Sequence, residues 1–177
     1  MKNINSLILP VLIIVLAASL RILPHPANFA PIGAMALFGG VYLDRRLALV
    51  LPLSAMIVSD IFIGFDGFDS RLVIYGSFLL IGAIGFWLRN HKSAVNVLGA
   101  SLLSSVLFFL ITNFGVLYTE SLYPKTLEGL FQSYLMGIPF FRNTVLGDLF
   151  YTGAFFGGFE LVKSLVVDKK VSFSKVK

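Results

Sequence analysis

An all-α integral membrane bundle of six transmembrane helices, with a short amphipathic helix in its last outer loop, is the fold class the sequence predicts. Three observations point to it. The chain is 57% hydrophobic and 13% charged, with a mean hydropathy of +0.89, more apolar surface than 177 residues can bury in a soluble globule. Its apolar residues fall into separate runs at 7–23, 27–43, 47–65, 72–88, 94–118 and 144–167. Each is near the roughly 20 residues that cross about 30 Å of hydrocarbon at about 1.5 Å per residue. Finally, lysine and arginine concentrate in alternate connections.

The first run has the outline of a signal peptide, with Lys2, an apolar stretch and Ala17-Ala18-Ser19, but further apolar runs follow at once. It is read as a first span. The second run carries Pro31 and Gly33, so it is expected to be bent or to begin as irregular backbone lining a cavity. On it, Gly33, Ala36 and Gly40 share a face, and the Ala36/Gly40 pair lets a neighbouring helix approach closely. Ser101, Ser105 and Thr112 make a comparable stripe on the fifth run.

In a six-span arrangement one side holds Lys2, Arg45, Arg46, Arg89, Lys92, Lys163, Lys169, Lys170, Lys175 and Lys177. The other holds Arg21, Arg71, Lys125 and Arg142, which makes ten against four of the fourteen basic residues. The positive-inside rule then puts both termini in the cytoplasm, and the expected location is the cell's inner membrane. Residues 1–167 form one membrane domain, and 168–177 form a basic cytoplasmic tail suited to anionic headgroups. The same topology accounts for the net charge of +5 without a nucleic-acid partner.

The connection from Thr119 to Arg142 is too long to be featureless. After Pro124, residues Leu127, Leu130, Phe131, Tyr134 and Leu135 follow helical spacing and predict an amphipathic helix lying on the outer surface or capping the bundle.

Arg21, Asn28, Asp60, Asn113, Arg142, Asn143 and Asp148 all fall toward the side opposite the lysine-rich loops. A charge within hydrocarbon costs about 2.5 to 3.5 kcal/mol on insertion scales, so such groups face protein or a wet cavity. Thr144, Asp148, Tyr151 and Thr152 share one helical face. The substrate-binding candidates are therefore Arg21, Asn28, Asp60, Asn113, Arg142, Asn143, Asp148 and Tyr151, surrounding a small polar solute. The competing reading is helix pairing that binds nothing, for example Arg21 with Asp60 or Asp148. Glu160, three residues before Lys163, is read as half of an ion pair at the inner interface.

Enzyme motifs are missing. The chain has no His-Glu-x-x-His, no Gly-x-Ser-x-Gly and no Gly-x-x-x-x-Gly-Lys-Ser/Thr, and it has no cysteine. His25 and His91 lie in loops on opposite sides and share no zinc site. The turn Asp66-Gly67-Phe68-Asp69 lacks the spacing of a calcium loop. The expectation is a protein without catalysis, cofactor or resident metal.

Several strings resemble a bacterial transport-protein family of unknown function. They are Arg21-Ile22-Leu23-Pro24-His25-Pro26-Ala27-Asn28-Phe29, Pro31-Ile32-Gly33-Ala34-Met35-Ala36-Leu37-Phe38-Gly39-Gly40, Phe108-Phe109-Leu110-Ile111-Thr112-Asn113-Phe114-Gly115, Tyr123-Pro124-Lys125-Thr126 and Ile138-Pro139-Phe140-Phe141-Arg142-Asn143-Thr144-Val145-Leu146-Gly147-Asp148-Leu149. That family is in turn similar to the substrate-binding S components of energy-coupling-factor transporters. S components are small six-helix proteins with an externally facing pocket. The resemblance implies uptake of a small hydrophilic solute, driven by a separate ATP-dependent coupling module. The first span departs from it, carrying Leu9-Pro10-Val11-Leu12-Ile13-Ile14 where S components have alanines at helical spacing. A solitary transporter is the other form this reading takes. A structural or assembly protein, whose buried polar residues only pair helices, is the alternative function.

Overall fold

The computed structural model describes residues 4–64, 67–119 and 122–174. The described residues form six helices: α1 (Ile4–Leu20), α2 (Ile32–Tyr42), α3 (Arg45–Ile63), α4 (Phe68–Asn90), α5 (Ala94–Thr119) and α6 (Leu127–Ser174). Asp66 of the predicted acidic turn, Lys2, Lys175 and Lys177 lie outside them.

Helix α2 is the centre. It touches each of the other helices, and every residue from Ile32 to Val41 is buried. A helix that is apolar on all faces has this place in a bundle. Its small residues allow the contact: a Cβ added to Gly40 would sit 2.6 Å from the Gly82 carbonyl oxygen and 2.7 Å from Gly85 Cα on α4. The small-residue face read from the sequence is thus where α2 and α4 meet backbone to backbone. Phe38 packs edge-on to Phe155, Phe156 and Phe159 of α6 on another side.

The helix ends are held by side chains. Asp44 accepts from the backbone N–H groups of Arg46 and Leu47, capping α3. Arg89 donates from Nε and Nη2 to the Gly40 carbonyl (3.1 and 2.6 Å) and also to that of Leu43. A cation thereby covers the carbonyl-rich end of α2, where the helix dipole favours positive charge. Gly64 closes α3 at φ 115°, a conformation in which a side chain would be strained.

Four helices, α3, α4, α5 and the 127–165 part of α6, are long and apolar enough to cross a membrane. Many of their large apolar side chains point outward, among them Ile61 (74% exposed) and Phe62 (71%). This is a multi-pass membrane architecture. The other two apolar helices, Leu7–Leu20 and Ile32–Tyr42, are shorter than a full crossing, so the predicted six spans are matched in length by four.

One expectation is overturned. The amphipathic segment and the last span are not separate elements but a single helix, α6, of 48 residues with Pro139 inside it. Of its apolar stripe, Leu127 (85% exposed), Phe131 (68%) and Leu135 point outward, while Leu130 and Tyr134 are half-buried. The buried face is Gly129, Ser133 and Gly137, at i, i+4 and i+8. Ser133 Oγ donates to the Asn113 carbonyl (3.1 Å), and Tyr134 Oη donates to that of Leu110 (2.8 Å). The physical reason is the solvent: helices inside a membrane meet through small residues and leave large ones to lipid, the reverse of a water-soluble helix. The segment read as a tail also continues α6 as far as Ser174.

A single methyl added at the α2/α4 contact, Gly40→Ala, forces the two backbones apart. It is expected to destabilise the protein by about 1 to 3 kcal/mol, the usual cost of overpacking a close contact. Gly76→Ala, where nothing lies within 4 Å of the added carbon, is the control. Thermal unfolding in detergent compares the two, and equal midpoints would contradict the contact.

Candidate functional site

The polar residues gather at two ends of the bundle. At one end lie the C-termini of α1, α3 and α5 and the N-termini of α2 and α4; at the other lie Tyr42, Lys92 and Glu160.

At the first end Asp60 is the pivot. Its side chain is wholly buried and pairs with Arg21 Nη2 (2.5 Å to Oδ1) and Arg71 Nη1 (3.1 Å to Oδ2), and Tyr75 Oη donates to Oδ2 at 2.7 Å. Arg21 reaches back from the end of α1 and also donates to the Met56 carbonyl (3.0 Å) and to Ser59 Oγ. Arg71 donates from Nη2 to the Gly64 carbonyl (3.0 Å). Three helices and the turn at Gly64 are therefore tied through one carboxylate. Such a buried network holds only where opposite charge and hydrogen bonds offset the loss of water.

Beside this cluster opens a recess of about 570 Å³. Arg21, Arg71, His25, Asn28 and Asp148 supply polar atoms to its wall, with Ile74, Phe78 and Phe108 among the apolar residues. Asp148 is 5% exposed and accepts a hydrogen bond from Ser105 Oγ (2.7 Å). Gly33 on α2 leaves it room, because a Cβ there would collide with the carboxylate. Asn28 takes a left-handed conformation (φ 61°) that asparagine tolerates, and it turns the chain between α1 and α2 over the recess. A second hollow of about 340 Å³ shares Asn28, Phe108 and Thr144 with the first and is lined also by Asn113.

The structure thus brings Arg21, Asn28 and Asp148 to one recess and Asn113 to the adjoining one. Asp60 stands behind the wall, holding the two arginines. Asn143 Nδ2 donates to the Ala27 carbonyl (2.9 Å), fastening the α1–α2 connection to α6. Arg142 is exposed, and Tyr151 stacks among Phe29, Phe150 and Phe155. Neither Arg142 nor Tyr151 lines either hollow. Arg71, Tyr75 and Ser105 were not among the expected site residues. The i, i+4 spacing of Arg71 and Tyr75, at the level of Asp60 on the neighbouring helix, was the available signal.

At the second end Glu160 pairs with Lys92 and accepts from Tyr42 Oη (3.0 Å), while the expected partner Lys163 stands farther off at 3.8 Å. Burial works against the Lys92 ammonium, but hydrogen bonds from it to Glu160 and Tyr42 prevail and raise its pKa above the usual lysine value. Among the described residues no group of three or more His, Cys, Asp or Glu side chains is placed to hold a metal ion.

The fold and site define a multi-pass helical membrane protein with a charged recess at one end of the bundle. By sequence the chain belongs to a family of unknown function, DUF6580, whose profile matches residues 1–171. No curated protein and no solved structure matches it.

The two ion clusters differ in burial and should differ in worth. Asp60→Asn removes the carboxylate that two guanidinium groups share and is expected to cost about 3 to 5 kcal/mol. Lys92→Met breaks a partly solvated pair and should cost about 1 kcal/mol or less. Unfolding midpoints measured side by side check the order; a larger loss at Lys92 would reverse it.

Proposed function

We propose that this protein captures a small hydrophilic solute in the recess at the Asp60 end and takes it across the bacterial inner membrane, without covalent chemistry. The recess carries this reading. Its volume lies within the range of about 300 to 1,000 Å³ usual for small-molecule sites, and charged and polar groups from α4, α6 and the α1–α2 connection converge on apolar walls. Arg21, Asn28 and Asp148 contact the solute, and Asn113 widens the site through the second hollow. Asp60 positions Arg21 and Arg71.

Orientation follows from the basic residues. In the sequence count four of the fourteen fall on the recess side and ten on the other, which supports a recess turned outward and both termini in the cytoplasm. No nucleotide-hydrolysing motif is present in the sequence, so energy comes from a separate ATP-driven module, as for S components, or from an ion or solute gradient. Alternating exposure requires the short, buried α2 or the whole bundle to move relative to the membrane.

A second reading has its own support. The Arg21–Asp60–Arg71 cluster has the form of buried helix pairing, and in a structural or assembly protein it would be the whole purpose of these charges. Asp148 separates the two readings, because it lies on the recess wall away from that cluster.

Native mass spectrometry of the protein released from its own membrane should reveal a bound small molecule. Asp148→Asn should lose that molecule while keeping the unfolding midpoint within about 2 °C of the parent, since it removes a charge and leaves the shape. A folded parent protein that carries no small molecule, and is not stabilised by any member of a panel of vitamins, nucleosides and amino acids, would favour the structural reading instead.

A further inference from the structure

Resting on the capture reading, we infer that the solute carries an organic ammonium group, seated on the Asp148 carboxylate beside the rings of Phe78 and Phe108. Asp148 is 5% exposed, yet it lines the recess. Ser105 Oγ donates to its Oδ2, and it forms no ion pair with any cation among the described residues. Its Oδ1 accepts no hydrogen bond from them. That oxygen rests against Gly33, where a Cβ would collide with it, in the first turn of α2. The start of a helix offers it roughly half of one positive charge, less than a carboxylate withdrawn from water requires.

The aromatic side of the seat is built from α4 and α5. Ser105 and Phe108 are three residues apart on α5 and share a face, so Phe108 stands about one turn from the hydroxyl that holds Asp148. Phe78 of α4 packs on Phe108 with ring centroids 5.1 Å apart and an angle of 31° between the planes. Both rings line the recess with Asp148. A carboxylate beside aromatic rings is the chemistry that recognises an organic cation: the carboxylate meets the charge, and the rings attract the methyl or methylene groups that share it. A neutral solute leaves the carboxylate unpaired, and an anion sets a second negative charge against it, both costly away from water. An inorganic cation answers the carboxylate but not the rings. Arg21 and Arg71, drawn to Asp60, repel an ammonium group and so confine it to the Asp148 side of the recess.

The test uses the full-length protein in an uncharged detergent and reads thermal stabilisation and affinity. The probes are propylamine, hexylamine, phenethylamine, putrescine and choline. Each is paired with a neutral counterpart of the same shape, in which a hydroxyl replaces the amine or a tert-butyl group the trimethylammonium. At least one ammonium probe should bind about tenfold or more tightly than its neutral counterpart. Asp148→Asn should erase that preference, weakening the ammonium probe by about tenfold or more and its counterpart by less than about threefold. Phe108→Leu keeps the carboxylate and should weaken the ammonium probe by about threefold or more, again with less effect on the counterpart. It keeps the test decisive if Asp148→Asn fails to fold.

Ammonium binding that ignores Asp148→Asn would overturn the seat. Binding confined to anionic or neutral members of the broader panel, or a co-purifying solute without a basic or quaternary nitrogen, would overturn the ammonium group and leave solute capture standing. Stabilisation by sodium or potassium chloride with every ammonium probe inert would overturn it in favour of an inorganic ion. If nothing co-purifies and neither these probes nor the broader panel binds, both the ammonium seat and the capture reading fail.

Discussion

Asp60 holds two arginines from different parts of the chain, and the geometry of its end of the bundle follows from that attachment. In water three such groups would gain little by meeting. Inside a membrane protein each would be expensive alone, so the cluster is nearly all-or-none. Because Arg21 closes α1, Asp60 sits near the end of α3 and Arg71 lies in the first turn of α4, one carboxylate sets the relative depth of three helices. The recess wall is the consequence: the arginines that Asp60 holds are the ones the recess presents.

Packing elsewhere obeys the same solvent. Apolar side chains gain nothing by leaving lipid for one another, so contacts form where small residues let backbones approach. Gly40 against Gly82 and Gly85, and Ser133 and Gly137 against the end of α5, are the two clearest cases. Helix α2 is short because it need not reach both surfaces. Surrounded by the other helices, it can start below the level of Asn28 and leave space above its first turn, where Gly33 faces Asp148. The recess exists because the central helix begins late.

Much of this was legible in the sequence. The all-helical membrane class, the irregular start of α2, its small-residue face and the collection of polar residues at one end all follow from depth along the helices, which hydropathy and 3.6-residue spacing record. Placing Arg21, Asn28 and Asp148 at one level needed no more than that. The pairing of Arg21 with Asp60 stood as one of two open alternatives, Arg142 entered the candidate set by its depth, and Tyr151 entered it by sharing a helical face with Asp148.

What hydropathy does not record is rotation about the helix axis and the identity of neighbours. Arg71 counted as a loop cation because it is near an end, yet its side chain turns inward to Asp60. Glu160 finds Lys92, distant in sequence, ahead of the nearby Lys163. The dip in hydropathy around Pro139 and Arg142 looked like a break between two helices, but α6 continues through it with its small residues packed on α5. The sequence by itself determined that this chain is a helical membrane protein whose polar residues within the apolar runs lie mostly toward one side, because position along each run records depth in the membrane. Only the tertiary structure decided which charges cancel and which line the recess, because that depends on contacts between residues far apart in the chain.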